Sequence, residues 1–332
     1  MGKAISTLSH YGVHAVVAGV IGTAVYALRY DQTTDLTTTS MEQRRRMQFI
    51  GHRGASAQAP ENTLAAIRVA LQAGMGFEID LQRLADGTVV LLHDSYLWRT
   101  AAQWPWYSAL FSSAMWRRVS TLNAHELRSV QVGDATHSEA VPTFVEALHL
   151  LRHPPTCSAG ARAGRRAAHC FAEIKSEGLI SHGFDPRLTE ASAAAVVDAG
   201  VTRNQLTWIS FSLEALKDMK RRLPEFSALH ISYVQTTSQA WATARLAVAS
   251  GMDGININAN PQVISAELVD WLHARGKKIG VWVWRAPASN DVARVWEHMA
   301  RCGVDYFTSN IPPELVDWAA MPPPAMPTPA AG

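Results

Sequence analysis

Cysteine is scarce in this chain and poorly placed for structural work. Cys157, Cys170 and Cys302 are three in number, far apart and without CxxC spacing. Neither a disulfide framework nor a zinc site is indicated, and a reducing compartment is mildly favoured. An excess of one charge is missing too. The formal net charge is +2 over 332 residues, which removes the electrostatic case for nucleic acid as a partner. Charged residues make up 17% of the chain against 48% hydrophobic. That balance fits a globular protein with a sizeable core, either one large domain or two ordinary ones.

Residues 11–28, YGVHAVVAGVIGTAVYAL, carry no formal charge and approach membrane length. A spanning helix needs about 20 apolar residues. A signal peptide is the rival reading, but Lys3 alone is a thin basic region and no A-x-A cleavage site precedes the polar linker DQTTDLTTTS. The expectation is therefore an N-terminal segment over 1–40 with an uncleaved anchor at 11–28, and membrane association through it. Cleavage and secretion are the alternative. "MGKAIS" also fits the N-myristoylation pattern with Gly2 as acceptor. At the other end, residues 319–332 are Pro-rich and small, which predicts a disordered tail.

Between these ends the chain alternates. Short β-like runs are FIGH (49–52), GFEIDLQ (76–82), TVVLLHD (88–94), CFAEIK (170–175), LTWISF (206–211), ALHISYV (228–234), GININ (254–258), KIGVWVW (278–284) and DYFTS (305–309). Helical patterns fall between most of them, for example at 62–73, 143–151, 188–198, 213–222, 240–250, 266–275 and 292–301. Strands alternating with helices predict βαβ units on a parallel sheet. About eight units over ~270 residues is the arithmetic of a closed α/β (β/α)8 TIM barrel. One interval, about 95–140, is too long for a βα loop and holds Trp98, Trp104, Trp106 and Trp116. It predicts an inserted element above the barrel's C-terminal face.

Residues two apart on a strand share a face. Glu78 and Asp80 therefore project together, with Phe77 and Ile79 turned away, and Glu173 and Lys175 alternate with Ala172 and Ile174 in the same manner. Carboxylates near strand ends need a compensating cation, because an unpaired buried charge costs several kcal/mol. Oxygen donors alone suit a hard divalent cation, Mg²⁺ or Ca²⁺. An ion-pair network with Lys175 and Arg53 is the competing account. His52 and His93, each at a strand's carboxyl end beside the acids, add an acid/base pair.

Taken together, "GHRG…APENT", "FEID…ADGTVVLLHD", "FAEIKS", "ISF" and "GVDYFTSNIP" closely resemble the glycerophosphodiester phosphodiesterase family, in the family's order, over residues 48–318. The resemblance implies a TIM barrel with a small insertion after the second strand region. Position by position it implies His52 and His93 as the acid/base pair and Glu78, Asp80 and Glu173 as metal ligands. Arg53 and Lys175 would hold the substrate's phosphate, and Trp282 would line the substrate pocket. Asn62, in the same signature, reads as the N-cap of the following helix. There are departures from the family's pattern. The seventh-strand run is Trp282-Val283-Trp284-Arg285, Ser309-Asn310 stands in the T-D-x-P motif, and Leu84 replaces a threonine.

The implied activity is metal-dependent hydrolysis of glycerophosphodiesters such as glycerophosphocholine, giving glycerol 3-phosphate and an alcohol. If the anchor and the tryptophans at 98–116 place the site at a bilayer, lysophospholipids cleaved in a phospholipase D sense become the substrate. A catalytically inactive, membrane-tethered binding module is the remaining alternative.

Overall fold

The computed structural model of the protein describes residues 40–101, 117–128, 130–133, 137–157, 168–175, 184–283 and 291–321. The apolar stretch 11–28, the tryptophans Trp104, Trp106 and Trp116, and residues 322–332 lie outside them. Among the described residues no helix is long and apolar enough to cross a membrane.

The described strands are β1 (Gln48–Gly51), β2 (Gly76–Arg83), β3 (Val89–Leu91), β4 (Gln131–Gly133), β5 (Ser138–Ala140), β6 (Cys170–Ile174), β7 (Leu206–Ser210), β8 (Ser227–Ser232), β9 (Gly254–Asn258), β10 (Lys278–Trp282) and β11 (Tyr306–Ser309). The α-helices are α1 (Met41–Arg46), α2 (Leu64–Gln72), α3 (Ala124–Leu127), α4 (Phe144–Arg152), α5 (Pro186–Asp198), α6 (Leu213–Arg222), α7 (Thr237–Ala249), α8 (Ala266–His273), α9 (Ala293–Cys302) and α10 (Pro312–Ala320). Parallel pairing runs from β1 through β11, β10, β9, β8, β7 and β6 to β2, and β1 also pairs with β2. The ring is thereby closed by eight parallel strands, the (β/α)8 barrel that the alternation predicts.

Strand parity decides which residues fill which core. Ile50, Phe171, Ile209, Leu229 and Ile231 pack together inside the ring. Their alternates, among them Phe77, Ile79, Ala172, Ile174 and Trp208, meet the helices outside it. Strands buried on both faces need apolar residues at nearly every position, which is why the charged exceptions stand out.

The run at 88–94 departs from its neighbours. It forms only β3, antiparallel to β2 with Leu81 opposite Leu91. A parallel crossover takes a dozen residues or more, whereas the chain returns here through a short turn in which Gly87 has φ 93°. This strand lies outside the ring and helps found a second core. Leu84, Val90, Leu92, Leu97, Val119, Leu122, Leu127, Val130 and Val132 form it. Leu84, one of the departures from the family's pattern, is completely buried there. The β4–β5 hairpin belongs to the same region, and its three-residue strands are too short to show periodicity.

At the chain's far end, α10 starts with Pro312, whose missing N–H costs nothing at a first helical position. It runs through Ala320, so residues 319 and 320, expected in the disordered tail, are helical instead. Arg44 of α1 docks on this helix. It bonds the carbonyls of Trp318 and Met321, pairs with Glu297, and lies over the Trp318 ring at 4.6 Å.

Candidate active site

The loop after β1 starts the site. The backbone N–H of His52 donates to the Ser309 carbonyl at 2.7 Å, continuing the β1–β11 pairing by one residue. Arg53 then takes φ 54°, in the sparsely populated left-handed region. That turn aims its N–H at the Glu78 carboxylate, 2.8 Å away. Gly54, at φ 78°, lies so close to α2 that a Cβ would sit 2.5 Å from the Ala66 carbonyl carbon. The side-by-side placement of His52 and Arg53 therefore has a structural cause. One extends the strand toward the mouth of the barrel, and the next turns back over the acids.

Glu78 and Asp80 of β2 point into the barrel with Glu173 of β6, as strand parity requires, and Asp80 lies in register with Glu173. One carboxylate oxygen from each lies within 4.8 Å of the other two. All three residues are buried. Lys175 bridges Asp80 and Glu173 at 2.7 and 2.8 Å. The Arg53 guanidinium bonds Glu61 at 2.9 Å and approaches Asp80 at 3.4 Å. The ion-pair network expected as the competing account is thus present, and it is incomplete. Glu78 makes no ion pair among the described residues, and its carboxylate accepts from the Arg53 amide instead.

The proton affinities follow from this. Burial pushes the Glu78 carboxyl well above the usual range, and the charges of Asp80 and Glu173 add to it. Burial also raises Glu173 despite Lys175. Asp80 is disfavoured by burial, but Lys175, His93 and Arg53 outweigh that and hold it well below its ordinary value. Burial opposes the charge on Lys175, yet Asp80 and Glu173 raise its affinity for its proton overall. The cluster is short of positive charge at Glu78 and Glu173. Three hard oxygen donors at that spacing, with that shortage, fit a divalent cation.

Both histidines are anchored through Nδ1. His52 Nδ1 lies 2.8 Å from Asn310 Oδ1, and the Asn310 backbone is held by Asp291 at 2.7 Å. His93 Nδ1 lies 2.6 Å from Asp94 Oδ1. An amide oxygen and a carboxylate both accept, so each Nδ1 carries the hydrogen and each Nε2 is left for other work. Burial, helped by the Arg53 charge, lowers His52 to about 3. Asp80 and His93 both act on that proton affinity, so the two rings and the acids form one electrostatic unit. Gln82 fixes the His93 loop by donating to the carbonyls of Leu92 and Asp94 at 2.8 and 2.7 Å.

His52, Arg53, Glu78, Asp80, His93, Glu173 and Lys175 are thus brought to one end of the barrel. Trp282, the last residue of β10, packs on the interior cluster at the same end, and its ring meets Phe211 edge-on at 6.5 Å. Asn62 is a correction. The N-cap of α2 is Thr63, whose side chain accepts from the Ala66 amide. Asn62 takes φ 57° and clamps Asp80, donating to its carboxylate at 2.7 Å and accepting its N–H at 3.1 Å. Glu61, Asp94, Arg99 and Asn310 had no assigned part in the sequence reading. Glu61, Asp94 and Asn310 stand inside the quoted motifs, Asn310 as a departure from the family's pattern, whereas nothing in the sequence marked Arg99.

Residues 52–312 match the Glycerophosphoryl diester phosphodiesterase family. The chain belongs to that family, and it is a phosphoric diester hydrolase. Over 269 residues it is 25% identical to the glycerophosphodiester phosphodiesterase of Caldanaerobacter subterraneus subsp. tengcongensis, covering 81% of this chain and 96% of that one. A shorter stretch of 61 residues is 54% identical to glycerophosphodiester phosphodiesterase 1 of Bos taurus, 18% of each chain. Among solved structures, an Oleispira antarctica phosphodiesterase in complex with the product sn-glycerol-3-phosphate superposes with TM-score 0.62 at 24% identity, covering 82% of this chain and 96% of that one. A glycerophosphodiester phosphodiesterase from Agrobacterium tumefaciens does so with TM-score 0.59 at 23% identity, covering 82% and 99%. At these identities the two structures show the shared fold.

Proposed function

We propose that the site hydrolyses water-soluble glycerophosphodiesters of the glycerophosphocholine type to glycerol 3-phosphate and an alcohol. Glu78, Asp80 and Glu173 hold a divalent cation, Mg²⁺ or Ca²⁺. The observation that carries the reading is the meeting of three buried carboxylates with two Nδ1-anchored histidines at one end of the barrel. The product named for the Oleispira antarctica phosphodiesterase agrees with it.

When bound, the cation would supply Lewis-acid stabilisation of charge on the phosphoryl oxygens. Arg53 and Lys175 add fixed positive charge beside the same oxygens, in a buried setting where such charge counts most. Of the two histidines, one enters with Nε2 free and takes a proton from the attacking water. The other enters with Nε2 protonated as well as Nδ1 and gives that proton to the departing alkoxide. The P–O bond to water forms as the P–O bond to the alcohol breaks. The Nε2 atoms are the groups placed for both transfers. Asn62 and Lys175 keep Asp80 fixed while this happens.

Chelator should abolish hydrolysis of glycerophosphocholine, and Mg²⁺ or Ca²⁺ should restore it. Full turnover in excess EDTA, with no metal by elemental analysis, would overturn the carboxylate site. A second reading, lysophospholipid cleavage at a membrane, is favoured by Phe211, Tyr233 and Trp98, which are 43%, 48% and 57% exposed. Faster turnover on lysophosphatidylcholine vesicles than on glycerophosphocholine would select it. Membrane attachment through residues 11–28 is part of that second reading, and fractionation of the full chain checks it.

A further inference from the structure

Arg99 follows the catalytic loop and belongs to the long interval after β3. Its guanidinium makes ion pairs in two directions. Nε bonds Asp94 Oδ2 at 2.5 Å, and the two terminal nitrogens bond Glu61 at 2.6 and 3.0 Å. Asp94 uses its other oxygen for His93 Nδ1. Glu61 in turn bonds the Arg53 guanidinium. A single planar fork therefore joins the partner of one histidine to the partner of the phosphate-side arginine.

Isolated, an Asp94 carboxylate could rotate and present either oxygen to the imidazole, or neither. With Oδ2 committed to Arg99, Oδ1 is fixed in one direction. Burial works against the Asp94 charge, but the His93 and Arg99 hydrogen bonds overcome it and hold the carboxyl well below its ordinary range. Asp94 is thus an acceptor, so His93 Nδ1 carries a hydrogen toward it and Nε2 is the nitrogen left for proton transfer. Leu97, two residues before Arg99, is fully buried in the second core. The segment that carries Arg99 is therefore anchored by apolar packing.

We propose that Arg99 is a positioning residue, acting through Asp94 to set the tautomer and direction of His93. This rests on His93 being one of the acid/base pair. Misplacing a reacting group by about 1 Å can cost roughly 10²-fold in rate. Arg99→Ala should accordingly lower kcat on glycerophosphocholine by about that factor with KM little changed. Arg99→Lys should recover only part of it, because one ammonium cannot reproduce the fork that holds both carboxylates.

Four further measurements separate this from a merely structural role. In an Asp94→Ala background, Arg99→Ala should bring almost no additional loss of kcat. Glu61→Gln should affect KM more than kcat, since Glu61 leads to Arg53 instead. Guanidinium ion should partly restore the Arg99→Ala enzyme, because Arg99 lines an open cavity of about 360 Å³ with Glu61 and Thr100. The low-field proton resonance of His93 Nδ1–H should weaken in Arg99→Ala and stay in Glu61→Gln. Additive losses for Arg99 and Asp94, a change confined to KM, or kcat for Arg99→Ala within threefold of wild type would each overturn the proposal. If Arg99→Ala does not fold, wild-type kcat in Arg99→Lys overturns it just as well. An active His93→Ala enzyme would remove the acid/base reading itself, whereas an inactive one beside an unaffected Arg99→Ala would remove only the positioning role.

Discussion

His52 and His93 face one site from two differently built regions. His52 is held by the barrel alone. Its backbone extends β1 onto β11, its ring rests on Asn310, and Asn310 is set by Asp291 behind β11. His93 is held largely from beyond the ring, by β3 paired on the end of β2, by Asp94 with Arg99, and by Gln82 reaching out from β2. One ring therefore has an amide for a partner and the other a carboxylate. Both partners accept from Nδ1 and so fix the direction of the ring, the amide from β11's end and the carboxylate from the segment after β3. The rigid ring of strands positions one histidine through a neutral partner, and the added segment positions the other through a charged one.

The largest test removes each ring in turn. His52→Ala and His93→Ala should each lower kcat by about 10²–10⁴-fold, the usual worth of acid/base help, with circular dichroism and metal content nearly unchanged. Activity within threefold of wild type for either one would make that histidine structural and leave the site lopsided.

Loosening one region alone comes next. Leu122→Ala empties part of the second core, where Leu122 is 1% exposed, and should cost roughly 2–5 kcal/mol locally. Hydrogen exchange should quicken around Leu84, Leu97 and Val119 but not in β8 and β9, and kcat should fall with the His93 side. Equal quickening throughout would mean the two regions unfold as one.

A smaller change would make the two histidines alike. Asn310→Asp places a carboxylate on His52 Nδ1, and an opposite charge at that range raises a histidine by about 1–3 pK units. NMR titration of His52 should show the rise from about 3, and no movement would mean the Asn310 contact is absent in solution.

The last effect is on stability and appears only in acid. An unfolded histidine takes up its proton near pH 6.5, whereas folded His52 does so only near 3. Below about pH 6.5 the unfolded state binds more protons, so this residue's contribution to stability is present above that pH. It falls by ~1.4 kcal/mol per pH unit down to the folded value. His52→Gln should flatten that acid limb in urea titrations, and an unchanged slope would show that His52 titrates normally in the fold.

Much of the site was legible in the sequence because strand parity is a local rule. Glu78 with Asp80, and Glu173 with Lys175, can be assigned to one face from neighbours two residues away. Their meeting then follows from the pairing of β2 with β6. Asn62 was misread for an equally local reason. A polar side chain before an apolar helical pattern reads as a cap, and only the left-handed turn at φ 57° moves the cap to Thr63 and frees Asn62 for Asp80. Arg99 and Glu61 lie 38 residues apart and share no repeat or face. Only the folded chain brings them together. The β4–β5 hairpin was invisible for a third reason, since three residues cannot display a period.

The clasp between Arg44 and the end of α10 joins residues 274 apart in sequence. During translation β1 emerges long before its partner on one side, β11, since Gln48 pairs with Tyr306. Until then the nascent chain is an open sheet with two unpaired edges, and the Ser309 carbonyl that positions His52 does not yet exist. Loop closure over such a span adds little thermodynamic cost, since that cost grows only with the logarithm of length, but it is slow to find. The position of His52 therefore depends on β11 having joined the ring. A polypeptide released early, short of Tyr306, would carry the three carboxylates and both histidines and still have no closed barrel to aim them.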